Sequence, residues 1–118
     1  MISAIIQARM GSTRLPRKVL MQVGGESLLS YQINRILKSK LIDKVIVATT
    51  TEKIDDEIVS HCSDLGVDYF RGSENDVLGR YYETAKYFKS DVIVRMTADC
   101  PLLDPKIIDK TVQLFLDE

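Results

Sequence analysis

At 118 residues, 45% hydrophobic and 28% charged, the chain is long enough for one compact domain with a core of its own. The formal net charge of -1 gives no electrostatic ground for nucleic acid or a membrane surface as the main partner. Cys62 and Cys100 are too few for a disulfide framework and too far apart for a CxxC pair, so a reducing cytoplasm fits.

No apolar run approaches the roughly 18 residues of a membrane span. "MISAIIQAR" lacks the basic region and long apolar core of a signal peptide and reads as a buried strand. Nothing marks an internal boundary, so residues 1–118 are taken as a single unit.

In chain order, Ser3–Ala8 is the first strand. Glu26–Lys40 follows as a helix, with Leu28, Leu29, Ile33, Ile36 and Leu37 at helical spacing and Ser27 as N-cap. Lys44–Thr50 is a strand apolar enough for burial on both faces. Ile54–Gly66 is a helix with acids in its first turn and Gly66 at its end. Val67–Phe70 is a short strand, Glu74–Phe88 a helix despite Gly79, and Asp91–Thr97 the fourth strand. Asp104–Leu116 closes the series as a helix, with Asp104 as cap and Pro105 in its first turn. Four strand–helix units imply right-handed crossovers and an α/β fold with a parallel sheet covered on both faces. Ligands on such sheets bind at the carboxyl ends of the strands. The loops there are Arg9–Lys18, Thr49–Thr51, Arg71–Asp76 and Ala98–Asp104.

The first loop holds Arg9, Arg14, Arg17 and Lys18 and no acid. Arginine forks and a lysine point charge suit phosphate oxygens, Gly11 permits close backbone approach, and Pro16 stiffens the loop. The P-loop pattern is absent, and so is the three-glycine dinucleotide fingerprint, which disfavours a Rossmann oxidoreductase. On composition alone, a solvated basic loop competes evenly with a polyphosphate site.

Asp99 follows an apolar strand, at the mouth of such a site. A hard Mg²⁺ ion takes one or two carboxylates plus phosphate oxygens; the competing role is a loop cap. Arg95 lies on an apolar strand and needs a partner, in the site or in a structural ion pair. Asp76 either faces a ligand or complements a helix dipole. His61 is read as a surface or packing residue and Cys62 as core. Tyr81, Tyr82, Tyr87 and Phe88 read as packing rather than as a base-stacking platform.

"IIQARMGSTRLPRKVL" resembles the N-terminal signature of sugar nucleotidyltransferases: a strand, then G-[ST]-x-R, then P-x-K or P-K. It is more closely similar to the cytidylyltransferases that activate acidic sugars, and among them to the spore-coat polysaccharide biosynthesis protein F group. "FRGSENDVLGRYYETA" and "IVRMTADCPLLDP" carry the same resemblance, which covers essentially the whole chain.

The resemblance implies the Rossmann-like nucleotidyltransferase fold, three-layered with a mostly parallel sheet, of which residues 1–118 are the N-terminal, nucleotide-binding half. It implies transfer of CMP from CTP to an acidic sugar, with release of pyrophosphate. Arg14 and Lys18 would act on the triphosphate and leaving pyrophosphate. Ala8, Arg9, Gly11 and Ser12 would complete the cradle. Arg71, Gly72, Ser73 and Asp76 would lie along cytosine and ribose, and Asp99 would hold Mg²⁺; Thr49 is placed at the base pocket by its position after the second strand alone. The sugar pocket, a second metal carboxylate and much of the dimer contact would belong to the family's second half. An unpaired sheet edge favours association, a homodimer included. Two alternatives stay open: a non-catalytic nucleotide-binding or assembly module, and transfer of another nucleotide such as UMP or GMP.

Overall fold

The computed structural model describes residues 1–11, 20–73, 75–97 and 105–117. Strand β1 (Ile2–Gln7) leads to a hairpin of β2 (Gln22–Val23) and β3 (Glu26–Ser27). Helix α1 (Leu28–Leu37) and strand β4 (Lys44–Thr50) follow. A 3-10 turn, Lys53–Asp55, then enters α2 (Asp56–Leu65). Strand β5 (Asp68–Gly72), helix α3 (Val77–Phe88), strand β6 (Val92–Thr97) and helix α4 (Pro105–Leu116) complete the order.

The four long strands form one sheet in the order β5-β4-β1-β6, every pair parallel. Side chains alternate across a strand, so each strand feeds two cores. Ala4, Ile6, Val45 and Val47 face Ile33 and Ile36 of α1, Ile58 and Cys62 of α2, and Ile108 and Val112 of α4. Ile5, Ile46 and Ala48 face Tyr81 and Ala85 of α3. The result is the three-layer α/β arrangement expected from the alternating pattern. Ile5, Ile6, Ile36, Ile46 and Ile58 have no exposed surface. Each contributes about 1.5–3 kcal/mol by leaving water. Among the described residues no helix is long and apolar enough to cross a membrane.

Several boundaries differ from the sequence reading. The β2–β3 hairpin has no counterpart in it. Gly24 and Gly25 turn this hairpin with φ of 59° and 87°, a conformation that disfavours side chains. Because Glu26 and Ser27 pair in β3, α1 begins at Leu28, with Ser27 still its N-cap through the Ser30 N–H at 3.0 Å. Strand β5 runs on to Gly72 because backbone pairing with Thr50 continues whatever the side chains are. Helix α3 starts at Val77, where Asp76 caps it by accepting the Gly79 N–H at 2.8 Å; Glu74, the expected start, lies outside the described residues.

Arg95 is exposed rather than near-buried. Strand β6 is the sheet edge, and the guanidinium lies 4.6 Å over the Tyr81 ring in a cation–π contact. Tyr82 is exposed, while Tyr81, Ala85 and Phe88 pack on the sheet and the Tyr87 ring, though largely exposed, packs against Phe70 and Phe88 with centroids at 5.4 and 5.0 Å. Asp104 lies outside the described residues.

Candidate functional site

Parallel pairing brings the strand ends to one line. Gln7 stands beside Ala48 on one side and Thr97 on the other, while Thr49 and Thr50 stand beside Arg71 and Gly72. Ala8 continues the line, its N–H donating to the Ala48 carbonyl at 3.0 Å. Thus Ala8, Arg9, Gly11, Thr49, Arg71, Gly72 and Ser73 leave the same edge of the sheet. Ser12, Arg14, Lys18 and Asp99 lie outside the described residues.

The exit of β1 is held from a distance. Asp55 is 2% exposed, and its carboxylate accepts the Met10 N–H at 2.7 Å and the Thr50 hydroxyl. Met10 is itself buried. The turn after β4 therefore fixes the backbone where the basic loop begins. Arg9 Nη2 reaches the Gly11 carbonyl at 3.5 Å.

Arg71 works on the same turn. Its Nε donates to the Thr50 carbonyl at 2.7 Å, its Nη2 to the Glu52 carbonyl at 2.9 Å, and its Nη1 pairs with Asp56 at 2.8 Å. A planar fork suits three acceptors at once. Asp56 is thus more than an acid near a helix start.

Gly72 lies against Arg80, which is 1% exposed. A Cβ at Gly72 would stand 2.7 Å from Arg80 Cγ, so only glycine fits over this stem. Thr49 is fully buried, and its Oγ1 has no hydrogen-bond partner among the described residues. Asp76 spends Oδ1 on the α3 cap, and the Ser73 hydroxyl accepts from Asn75 N–H at 3.3 Å. Tyr81 donates to the Met96 carbonyl at 2.8 Å, next to the end of β6. Burial, foremost, pushes the Tyr81 hydroxyl above its ordinary value, keeping it the donor.

The sequence reading gave no role to Asp55 or Arg80. Asp55 is one of several acids in the first turn of the expected Ile54–Gly66 helix, and its partner lies 45 positions away. Arg80 had a signal in its spacing: Arg80, Tyr81, Thr84 and Ala85 form one buried stripe of α3. His61, read as surface or packing, meets the α1 cap, with Nε2 2.6 Å from Ser27 Oγ.

Four parallel strands with helices on both faces define an α/β fold, and the loops gathered at its carboxyl ends stand where ligands of such sheets bind. The cytidylyltransferase family model matches residues 3–118. The chain belongs to the cytidylyltransferase family. It is 41% identical over 118 residues to spore coat polysaccharide biosynthesis protein SpsF of Bacillus subtilis, covering 97% of this chain and 49% of that one. It is 33% identical over 117 residues to a 3-deoxy-manno-octulosonate cytidylyltransferase of Trichlorobacter lovleyi, covering 98% and 45%. A solved cytidylyltransferase structure from Leptospira borgpetersenii superposes with a TM-score of 0.94 at 46% identity, covering 99% of this chain and 49% of that one. The chain spans about half the length of the relatives it matches.

Proposed function

We propose that this chain is the CTP-binding half of a cytidylyltransferase that transfers CMP to an acidic sugar for surface or spore-coat polysaccharide. The observation that carries this reading is the family match over residues 3–118, which takes in all four strand ends and their loops. The SpsF and 3-deoxy-manno-octulosonate relatives support the acceptor class.

In this reading Arg14 and Lys18 bind the triphosphate and neutralise charge growing on the leaving pyrophosphate. Arg9 and the backbone at Ala8, Gly11 and Ser12 complete the cradle. Thr49, Gly72 and Ser73 admit the base and ribose to the sheet edge, with the buried Thr49 hydroxyl available as a donor. Arg71 and Asp76 act beside the nucleotide by holding the Thr50–Glu52 turn and the start of α3.

Mg²⁺ belongs to the same proposal. One carboxylate, Asp99, together with the nucleotide's phosphate oxygens forms the hard-oxygen donor set this ion takes. When bound, it supplies charge neutralisation and orients the phosphates. The attacking group is a sugar hydroxyl, the electrophile is the α-phosphorus of CTP, and pyrophosphate leaves.

A competition panel of CTP, UTP, GTP and ATP tests the nucleotide, with CTP expected to bind at least about tenfold tighter. Equal binding of all four would reject the cytidylyl reading. Pyrophosphate release on adding acidic sugars separates an enzyme from a non-catalytic nucleotide-binding module.

A further inference from the structure

Helix α3 meets the ends of three strands with two consecutive side chains. Arg80 runs its stem against Gly72, the last residue of β5. Tyr81 is 5% exposed and packs its ring beside Ile5 and Ala48. Its hydroxyl reaches the last rung of the β1–β6 pairing, where Gln7 stands beside Thr97. There it donates to the Met96 carbonyl at 2.8 Å, and the Gln7 N–H faces the same hydroxyl. The Arg95 guanidinium covers the ring. The helix is itself fixed at its start by the Asp76 cap.

A phenylalanine ring would fill this space equally well. A buried hydroxyl costs free energy unless it is bonded, and this one is bonded to the end of a strand, where ladders open first. The two strand ends are not equally held without it. At β1, the Ala8 N–H donates to the Ala48 carbonyl at 3.0 Å and the Met10 N–H to Asp55 at 2.7 Å. Among the described residues, β6 pairs with β1 alone. The basic loop begins with Arg9, two residues after Gln7, and Asp99 follows Met96 by three. We propose that the Tyr81 hydroxyl is a positioning group, which sets the spacing between the phosphate loop after β1 and the Mg²⁺ carboxylate after β6. It acts through the Met96 backbone, and it rests on the CTP reading above.

Tyr81→Phe removes the hydroxyl and keeps the ring. CTP is titrated with and without Mg²⁺ into the parent, Tyr81→Phe and Ile46→Val, a core variant on the same sheet face and away from the strand ends. In the parent, Mg²⁺ tightens CTP binding by about tenfold. In Tyr81→Phe the metal-free affinity stays within about twofold, because β1 keeps its other two ties, while the gain from Mg²⁺ shrinks to about twofold or less. Ile46→Val keeps the full gain although its melting temperature falls. A full gain in Tyr81→Phe would overturn the inference. So would an equal loss of gain in Ile46→Val, which would make the effect one of stability. If Tyr81→Phe does not fold, amide exchange in the parent decides: CTP with Mg²⁺ slows Gln7 and Thr97 together, and slowing at one strand end alone overturns the inference. A folded parent that binds no CTP overturns the CTP reading and this inference with it. CTP binding with no gain from Mg²⁺ overturns this inference and leaves that reading standing.

Discussion

The carboxylate of Asp55 accepts the backbone N–H of Met10 at 2.7 Å, joining the turn after β4 to the first residues after β1. Both residues are buried, so no water replaces this bond if it is lost. Asp55→Ala should cost about 1–3 kcal/mol of stability by urea unfolding, the penalty for an orphaned buried N–H. Because the basic loop starts there, CTP affinity should also fall, by about tenfold on the nucleotide reading. Asp55→Asn keeps an acceptor for Met10 and should recover most of the affinity. A core variant of matched stability, Ile58→Val, should bind CTP like the parent.

Gly72 and Arg80 form a second such joint. Adding a methyl at Gly72 drives it against Arg80 Cγ, a stem atom of a buried side chain that has little room to yield. Gly72→Ala should therefore destabilise the fold by about 1–3 kcal/mol, as overpacked cores do. Gly11→Ala is the comparison, because no atom of the described residues lies within 4 Å of its added Cβ, and its stability should be unchanged.

Burial pushes the Cys62 thiol up to about 12. At pH 8 the thiolate fraction is then about one part in ten thousand, and labelling should run roughly a thousandfold slower than for an exposed thiol. Peptide mapping after iodoacetamide separates Cys62 from Cys100. Above the ordinary thiol value of about 8.5 the unfolded chain loses this proton while the folded chain keeps it, so stability falls as pH rises. Cys62→Ala should flatten that alkaline slope.

Asp109 ties α4 to the end of α1. The Lys40 N–H, the Ser39 hydroxyl and the Leu41 N–H all donate to its carboxylate and hold its pKa below the ordinary value. The folded value is lowered, so the stabilisation is full above about pH 3.9, where an unfolded aspartate is ionised. It is lost as pH falls through the lower folded value. Acid unfolding of Asp109→Asn should show a shallower pH dependence in that window than the parent.

The β–α alternation was legible because it rests on local periodicity. "KVIVATT" gave β4 to the residue, and Ser27 was recognisable as the α1 cap. What escaped depends on partners remote in sequence. Two-residue strands carry no period, so the β2–β3 hairpin was announced only by Gly24-Gly25. Apolar β6 looks buried until the sheet order makes it an edge, and that order exposes Arg95. The candidate site divides the same way. Arg9, Gly11, Thr49 and Gly72 follow from loops at strand ends, whereas the anchoring of Met10 by Asp55 appears only when β1 and β4 lie side by side.

Calorimetric titration of the chain with CTP, with and without Mg²⁺, beside Lys18→Ala and Asp99→Ala, decides whether the basic loop and the end of β6 hold the nucleotide. Binding should be saturable, weakened by about tenfold or more in Lys18→Ala, and without Mg²⁺ dependence in Asp99→Ala. A folded chain that takes up no CTP, or binds it equally well without Lys18, would contradict this.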